Sequence, residues 1–243
     1  MGDEMNRLCT ICVRAGSKGV ANKNVRMLNG KPLFVHSILQ AKKSGLFQAV
    51  AVSSDSTVIL KIAKQWGANF VIQRPAELAQ DNSPKIPAVR HCLMETERME
   101  QKTFDIIVDL DATSPLRGLS DIAGAVELLE TARVSNVITG TPARRSPYFN
   151  LAERKKNGTV KLCKTPRKPV YCRQDSPECY DLNASVYVWQ REALLQSNTV
   201  FNEDTLLFVM PPERSVDIDS ELDFAFVQFL MSKRVESLGS DIL

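Results

Sequence analysis

A chain of 243 residues, 44% hydrophobic and 24% charged, is long enough to bury a full core as one large domain or one domain with an excursion. Its formal net charge of +3 is too small to argue for nucleic acid, and no apolar run approaches the ~20 residues of a membrane span, so neither partner is expected. The stretch from Met1 to Arg7 is polar and acidic, unlike a signal peptide, and six cysteines without one read as reduced thiols, which makes a cytoplasmic location the expectation.

The first predicted element is an apolar strand over 8–13. Directly after it come Arg14-Ala-Gly-Ser-Lys-Gly19, then Lys23-Asn24 and Gly30-Lys31-Pro32. A strand running into a glycine-containing basic loop and then a helix gathers backbone N–H groups and cations around one point, which suits a polyphosphate. Gly30-Lys31 is followed by Pro32, so there is no G-x-x-x-x-G-K-[ST], and G-x-G-x-x-G is also absent. A P-loop hydrolase and a dinucleotide-binding protein both lose their main support, leaving a loop that grips a nucleoside triphosphate mainly by charge. Cys9 and Cys12 lie three apart in the strand, so they straddle the sheet and read as two small buried side chains rather than half a metal or redox motif.

Further strands are predicted over 49–53, 69–72, 105–110 and 136–139, with helices over 33–44, 56–66, 85–101 and 120–133. This alternation specifies α/β architecture: right-handed βαβ units, a mostly parallel sheet and helices on both faces, in three layers. Ligands of such sheets bind beyond the carboxyl ends of the strands, where Arg14–Lys23, Ser54, Asp55, Arg74 and Asp111–Arg117 would converge.

The alternation breaks after Pro142. Residues 144–173 hold ten Lys or Arg and a single acid, Glu153, punctuated by Pro147, Asn157-Gly158, Pro166 and Pro169. Such a run is either a solvated, irregular excursion or an arm that pairs with a second subunit and carries cations to an anionic substrate. Strand character returns over 184–189 and 206–210, and a closing helix from about Glu221 places Leu222, Phe226, Phe229 and Leu230 on one face. Residues 1–141 and 181–243 are therefore expected to form the main domain, with 142–180 as the arm.

Just before that helix, in Ser215-Val-Asp-Ile-Asp-Ser-Glu-Leu-Asp-Phe224, an extended backbone points Asp217 and Asp219 to one face and Ile218 to the core. Paired carboxylates attract a hard cation, and Mg²⁺ typically takes one or two carboxylates plus substrate phosphates. The alternative is helix capping by Asp219 or Ser220, with Asp223 in the first turn, which accounts for one acid but not for a matched pair.

Over residues 7–232 the chain resembles the cytidylyltransferases that activate nine-carbon α-keto acid sugars, the CMP-sialic acid synthetases and their relatives. The motifs that carry the resemblance are Arg14 with Ser17, Lys18, Gly19, Lys23 and Asn24; the segment Arg74 to Ala79; Thr113 to Arg117; and Asp217, Asp219, Asp223 and Phe224. The resemblance implies a nucleotidyltransferase on a Rossmann-like sheet, a homodimer with crossed arms, converting CTP and a nonulosonic acid to the CMP-sugar and pyrophosphate. It implies that Arg14, Lys18 and Lys23 hold the triphosphate. Ser17, Asn24 and Arg74 complete the nucleotide site, Asp217 and Asp219 hold Mg²⁺, and Asp111, Thr113, Arg167, Arg173 and Asn183 contact the sugar. No covalent nucleophile is needed, and His36 and His91, both in predicted helices, read as structural.

Departures from the sialic acid pattern narrow the branch. Asp111 stands where a glutamine is usual, Ile11-Cys-Val-Arg14 replaces an Ile-Pro-Ala-Arg start, and no serine pair occurs around Pro84-Lys85. With Pro142 to Leu151 and Cys179 to Tyr187, this looks more like the branch that activates legionaminic acid. A carboxylate at Asp111 accepts hydrogen bonds but cannot donate one, which would favour a sugar with an added amide N–H. Three readings stay open beside this one: CMP-N-acetylneuraminic acid synthesis, another sugar nucleotidyltransferase, and a non-catalytic nucleotide-sugar binding protein. An eight-carbon keto acid sugar enzyme is disfavoured because its usual Arg-x-x-Ser-x-Arg-Leu-Pro loop is missing.

Overall fold

The computed structural model describes residues 5–16, 20, 22–165, 168 and 173–237, apart from the side chains of 173 and 234–237. Among these, β1 (Arg7–Cys12) leads into a small hairpin of β2 (Met27–Leu28) and β3 (Lys31–Pro32), then α1 (Val35–Ser44) and β4 (Ala49–Ser54). There follow α2 (Thr57–Gln65), β5 (Phe70–Gln73), α3 (Lys85–Glu100), β6 (Ile106–Leu110), α4 (Leu119–Ala132) and β7 (Asn136–Pro142). The chain continues through β8 (Ala152–Arg154), β9 (Val160–Leu162), β10 (Tyr180–Gln190), α5 (Arg191–Gln196), β11 (Leu206–Val209) and α6 (Glu221–Ser237).

Seven strands form one sheet in the order β11-β7-β10-β6-β1-β4-β5. It is mostly parallel, as expected, except that β10 runs antiparallel to both β6 and β7. Every residue of β4 and β6 is buried, because helices cover both faces of a parallel sheet and the strands then need continuous apolar sequence. One face packs Ile11, Val50, Val108 and Val188 against α1, α2 and α4; the other packs Leu8, Ala51, Ile107 and Trp189 against α3 and α5. Cys9 belongs to the first core and Cys12 borders the second, so the pair straddles the sheet; both are free thiols.

A third cluster, Leu28, Leu33, Leu116, Ile218, Phe224 and Val227, fastens the β2–β3 hairpin and α6 to the carboxyl end of the sheet. It corrects the expected face of the last helix. Leu222, Phe226 and Phe229 are 78%, 48% and 54% exposed, while Phe224 and Val227 are buried and Leu230 packs beside them.

After β7 the chain leaves the sheet and returns through β10, whose Tyr180 pairs with Pro142. The excursion therefore starts and ends at one point. Within it β8 and β9 form an antiparallel hairpin with every residue exposed.

Candidate active site

Beyond the carboxyl ends of β1, β4, β5 and β6 lies a cleft of about 270 Å³, whose walls include Arg14, Lys23, Asn24, Arg74, Lys85 and Thr113. Asp111 also lines it. This is where an open parallel sheet is expected to bind a ligand.

The two motifs from opposite ends of the sequence meet here. Ile218 is fully buried, and its N–H donates to the Thr113 carbonyl at 3.0 Å, which anchors the aspartate segment to the loop after β6. Lys23 donates to the Ile218 carbonyl and lies 3.3 Å from Asp219 Oδ1. Asp217 and Asp219 flank Ile218 and adjoin the cleft through its lining residues, Asp217 beside Thr113 and Asp219 beside Lys23.

The two carboxylates differ in environment. Asp219 is 80% exposed in its side chain, whereas Asp217 is partly buried and its Oδ1 has no hydrogen-bond partner. Burial pushes the Asp217 carboxyl up to about 6; a hydrogen bond from Thr113 and the charge of Lys23 oppose this, while Asp111 and Asp219 add to it. Helix capping is done by other residues: the N–H groups of Asp219 and Ser220 donate to Asp223 Oδ2 at 3.1 and 2.8 Å, and Ser220 Oγ accepts from the Asp223 N–H at 3.3 Å. Among the described residues no group of three or more His, Cys, Asp or Glu could hold a metal ion. Asp217 and Asp219, one with an orphaned buried oxygen, could hold a cation only with ligands from outside the chain, as Mg²⁺ takes one or two carboxylates plus substrate phosphates.

On the opposite wall Arg14 pairs with Asp81 at 2.7 Å, and the Ala15 N–H donates to Asp55 Oδ1 at 2.9 Å. Carboxylates thus engage Arg14 Nη1 and the Ala15 N–H. Asn24 holds the loop shape by donating to the Arg14 carbonyl at 3.0 Å, and its own Oδ1 is buried without a partner. Arg74 is 5% exposed and donates to the carbonyls of Val13 and Ser53 and to Ser53 Oγ, so it clamps the ends of β1 and β4 together while lining the cleft. Ser17, Lys18 and Arg167 lie outside the described residues, as does the Arg173 side chain.

The sugar-contacting set is only partly assembled. Asp111 and Thr113 reach the cleft, but Asp111 is not the free acceptor expected from sequence. Its Oδ1 accepts from the Thr113 N–H and hydroxyl at 3.3 and 3.1 Å, and its Oδ2 accepts from Lys85 at 2.7 Å. Burial works against the Asp111 carboxylate, and Lys85 outweighs it, holding Asp111 below the usual carboxylate range. Asn183 is 3% exposed, and its amide is committed to Thr139, Ser185, Met210 and Ser215, so it braces the β7–β10 join instead of reaching the cleft. It is not among the residues that line the cleft.

Two residues escape the sequence reading, which includes a third, Arg117, only as the end of the stretch beyond β6. Lys85 and Asp109 belong to the cluster around Asp111, and the alternation that singled out Asp217 and Asp219 applies equally to Asp109 and Asp111. Arg117 is 3% exposed and donates to the Asp111 carbonyl and, at 2.9 Å, to the Ser114 carbonyl, locking the loop after β6. Burial lowers its guanidinium to about 10.

The sequence profile of the cytidylyltransferase family matches residues 8–205. The chain is 45% identical over 93% of its length to CMP-N,N'-diacetyllegionaminic acid synthase of Campylobacter jejuni, covering 94% of that protein. It is 44% identical over 93% of its length to post-translational flagellin modification protein B of Campylobacter coli, covering 95% of it. Its fold is similar to that of a CMP:2-keto-3-deoxy-manno-octonic acid synthetase solved with CTP, at a TM-score of 0.69 and 13% identity, covering 95% of this chain and 100% of that one. With a cationic cleft at the switch end of a Rossmann-like sheet and a family match over most of its length, the chain belongs to the cytidylyltransferases and is a nucleotidyltransferase enzyme.

Proposed function

We propose that this cytidylyltransferase transfers CMP from CTP to N,N'-diacetyllegionaminic acid and releases pyrophosphate. The observation that carries the reading is the junction made by Lys23, which joins the glycine-containing loop to the Asp217–Asp219 segment at a cleft walled by Arg14 and Arg74. Lys23 beside Asp219 supports a site in which phosphate-binding cations adjoin metal-binding carboxylates. The relative that is 45% identical is named for this product.

In this reading the anomeric hydroxyl of the sugar attacks the α-phosphorus of CTP in line. A new O–P bond forms, the α–β bridging P–O bond breaks, pyrophosphate departs and the hydroxyl proton is lost to water. The protein positions the reactants and neutralises charge. Arg14 and Lys23 face the triphosphate, with Arg14 leaving Asp81 to take it, and Arg74 fixes the strand ends beneath. Asp217 and Asp219 would hold Mg²⁺, and the orphaned oxygen of Asp217 fits that task. Bound there, the cation supplies charge neutralisation at the phosphates. We further propose a homodimer built through the arm of residues 142–180, working in the cytoplasm.

Pyrophosphate release from CTP and Mg²⁺ with N,N'-diacetyllegionaminic acid tests this, with N-acetylneuraminic acid as competitor substrate. Higher kcat/KM for the first sugar is expected, and Asp217→Asn or Asp219→Asn should each lower turnover by about 100-fold or more while leaving the fold intact. Release with no keto acid sugar would assign the site to nucleotide binding without catalysis, and a preference for N-acetylneuraminic acid would move the chain to the sialic acid branch.

A further inference from the structure

Beneath the cleft lies a charged cluster that phosphate binding does not use. Asp109 and Asp111 flank Leu110 at the end of β6 and both face Lys85, the first residue of α3. Asp109 is fully buried; its Oδ1 accepts from Thr10 Oγ1 at 2.9 Å and its Oδ2 from Lys85 at 2.8 Å. The same ammonium donates to Asp111 Oδ2 at 2.7 Å and sits 4.7 Å from the ring centre of Tyr187, itself stacked on Trp189. Lys85 is thereby fixed by two carboxylates and an aromatic face.

An ammonium has three donors, and the carboxylates take two of Lys85's. The side chains of Lys85 and Asp111 remain 25% and 20% exposed, both in the cleft wall. Lys85 and the buried Arg117 balance Asp109 and Asp111, so this corner carries no excess positive charge, while Arg14, Lys23 and Arg74 against Asp81 leave the remainder cationic. A triphosphate is drawn to the second and not to the first. What suits the Lys85–Asp111 corner is an uncharged group that accepts from the ammonium and donates to the carboxylate, as a hydroxyl does in one atom and an acylamino group in two.

We propose that Lys85 and Asp111 act as a joint donor–acceptor pair for a hydroxyl or acylamino substituent of the acceptor sugar, with Asp109 as the buried counter-ion that positions Lys85. The inference rests on the cytidylyltransferase reading of the same cleft. It also supplies the donor that Asp111 alone lacks: the glutamine usual at this position donates and accepts from one side chain, and here two side chains divide those tasks.

The test separates sugar from nucleotide. Lys85→Met alone would leave Asp109 buried and uncompensated, so it is combined with Asp109→Asn. In that double variant the KM for N,N'-diacetyllegionaminic acid should rise about tenfold or more, with the KM for CTP within about twofold of the unmodified enzyme. Asp111→Asn, which leaves the buried Lys85–Asp109 pair intact, should shift the same constant in the same direction. A merely structural cluster would lower the unfolding temperature of the double variant and leave the sugar KM unchanged in both variants, and that result, or a rise in the KM for CTP instead, overturns the inference. If the unmodified protein releases pyrophosphate with neither sugar, the function reading fails and this inference fails with it; release by the unmodified protein with unchanged sugar KM in the variants sinks this inference alone.

Discussion

Asp217 is held with one oxygen buried and unpartnered, and its carboxyl is pushed up to about 6 chiefly by burial. Because that value lies above the ordinary one, the folded protein binds the proton more tightly than the unfolded chain does. The stability contributed by this group is fully present below about pH 4 and is lost as pH rises through about 6. A cation that binds the ionised carboxylate restores it. Mg²⁺ should therefore raise the unfolding temperature little at pH 5 and clearly at pH 8, where a concentration about 100 times Kd contributes about 2.7 kcal/mol. Asp111, Asp219 and Lys23 also act on Asp217, so Asp217→Asn is the control and should show no pH-dependent Mg²⁺ effect. Equal stabilisation at both pH values, or its persistence in Asp217→Asn, would remove Asp217 from the metal site. At this scale alternation was informative for Ile218, which goes in, and for Asp219, which goes out, while Asp217 is partly buried. The Lys85–Asp109–Asp111 cluster was not legible, because it depends on where the first turn of α3 lands against the end of β6, and spacing along the chain does not encode that contact. The placement of Asn183 was hidden for the same reason. It sits at an irregularity between Leu182 and Tyr187 beside Ala184, whose φ of 46° lies in the left-handed region, and this irregularity sends the amide into the β7–β10 join.

Helix α6 shows what an element's sequence does and does not determine. Its start is readable: Ser220 and Asp223 form a reciprocal cap, which sets Asp223 apart from Asp217 and Asp219 before the helix. Ser220→Ala should cost about 1 kcal/mol, seen as a fall of roughly 2–4 °C in unfolding temperature, with turnover near that of the unmodified enzyme. Asp217→Asn should do the reverse, sparing the fold and abolishing turnover. Loss of activity in Ser220→Ala without loss of stability would refute this division. Which face of α6 is buried could not be read, because Leu222, Phe226 and Phe229 compete with Phe224, Val227 and Leu230 and both stripes are apolar. The choice is made by Leu28, Leu33 and Leu116, contributed from distant parts of the chain. By contrast the strands and helices from β1 to β7, apart from the short β2–β3 hairpin that the sequence reading lacks, fall close to their predicted positions, since long buried runs such as β4 and β6 allow few other readings. The antiparallel direction of β10 was not visible, because an excursion of unknown path can return a strand either way.

For the whole molecule, the excursion between β7 and β10 raises the question of what covers it. The β8–β9 hairpin is exposed on both strands and carries Leu151, Val160 and Leu162 at 44%, 68% and 37% exposure. A two-stranded hairpin on its own is marginal in water, and a core cannot be built from three-residue strands. Apolar side chains on such an element, within a basic segment that leaves and rejoins the sheet at one point, suit packing against a second copy of the chain about a twofold axis. The unmodified protein should sediment as a dimer. Deleting residues 154–164, which removes most of the hairpin and leaves the β7–β10 join intact, should yield folded monomers with a raised KM for the sugar. The seven-stranded sheet does not depend on the hairpin, so the deletion should unfold near the parent temperature, and sedimentation then reports assembly alone. A fully active monomer in the unmodified protein, or a deletion variant that stays dimeric, would show that the hairpin does not close the dimer.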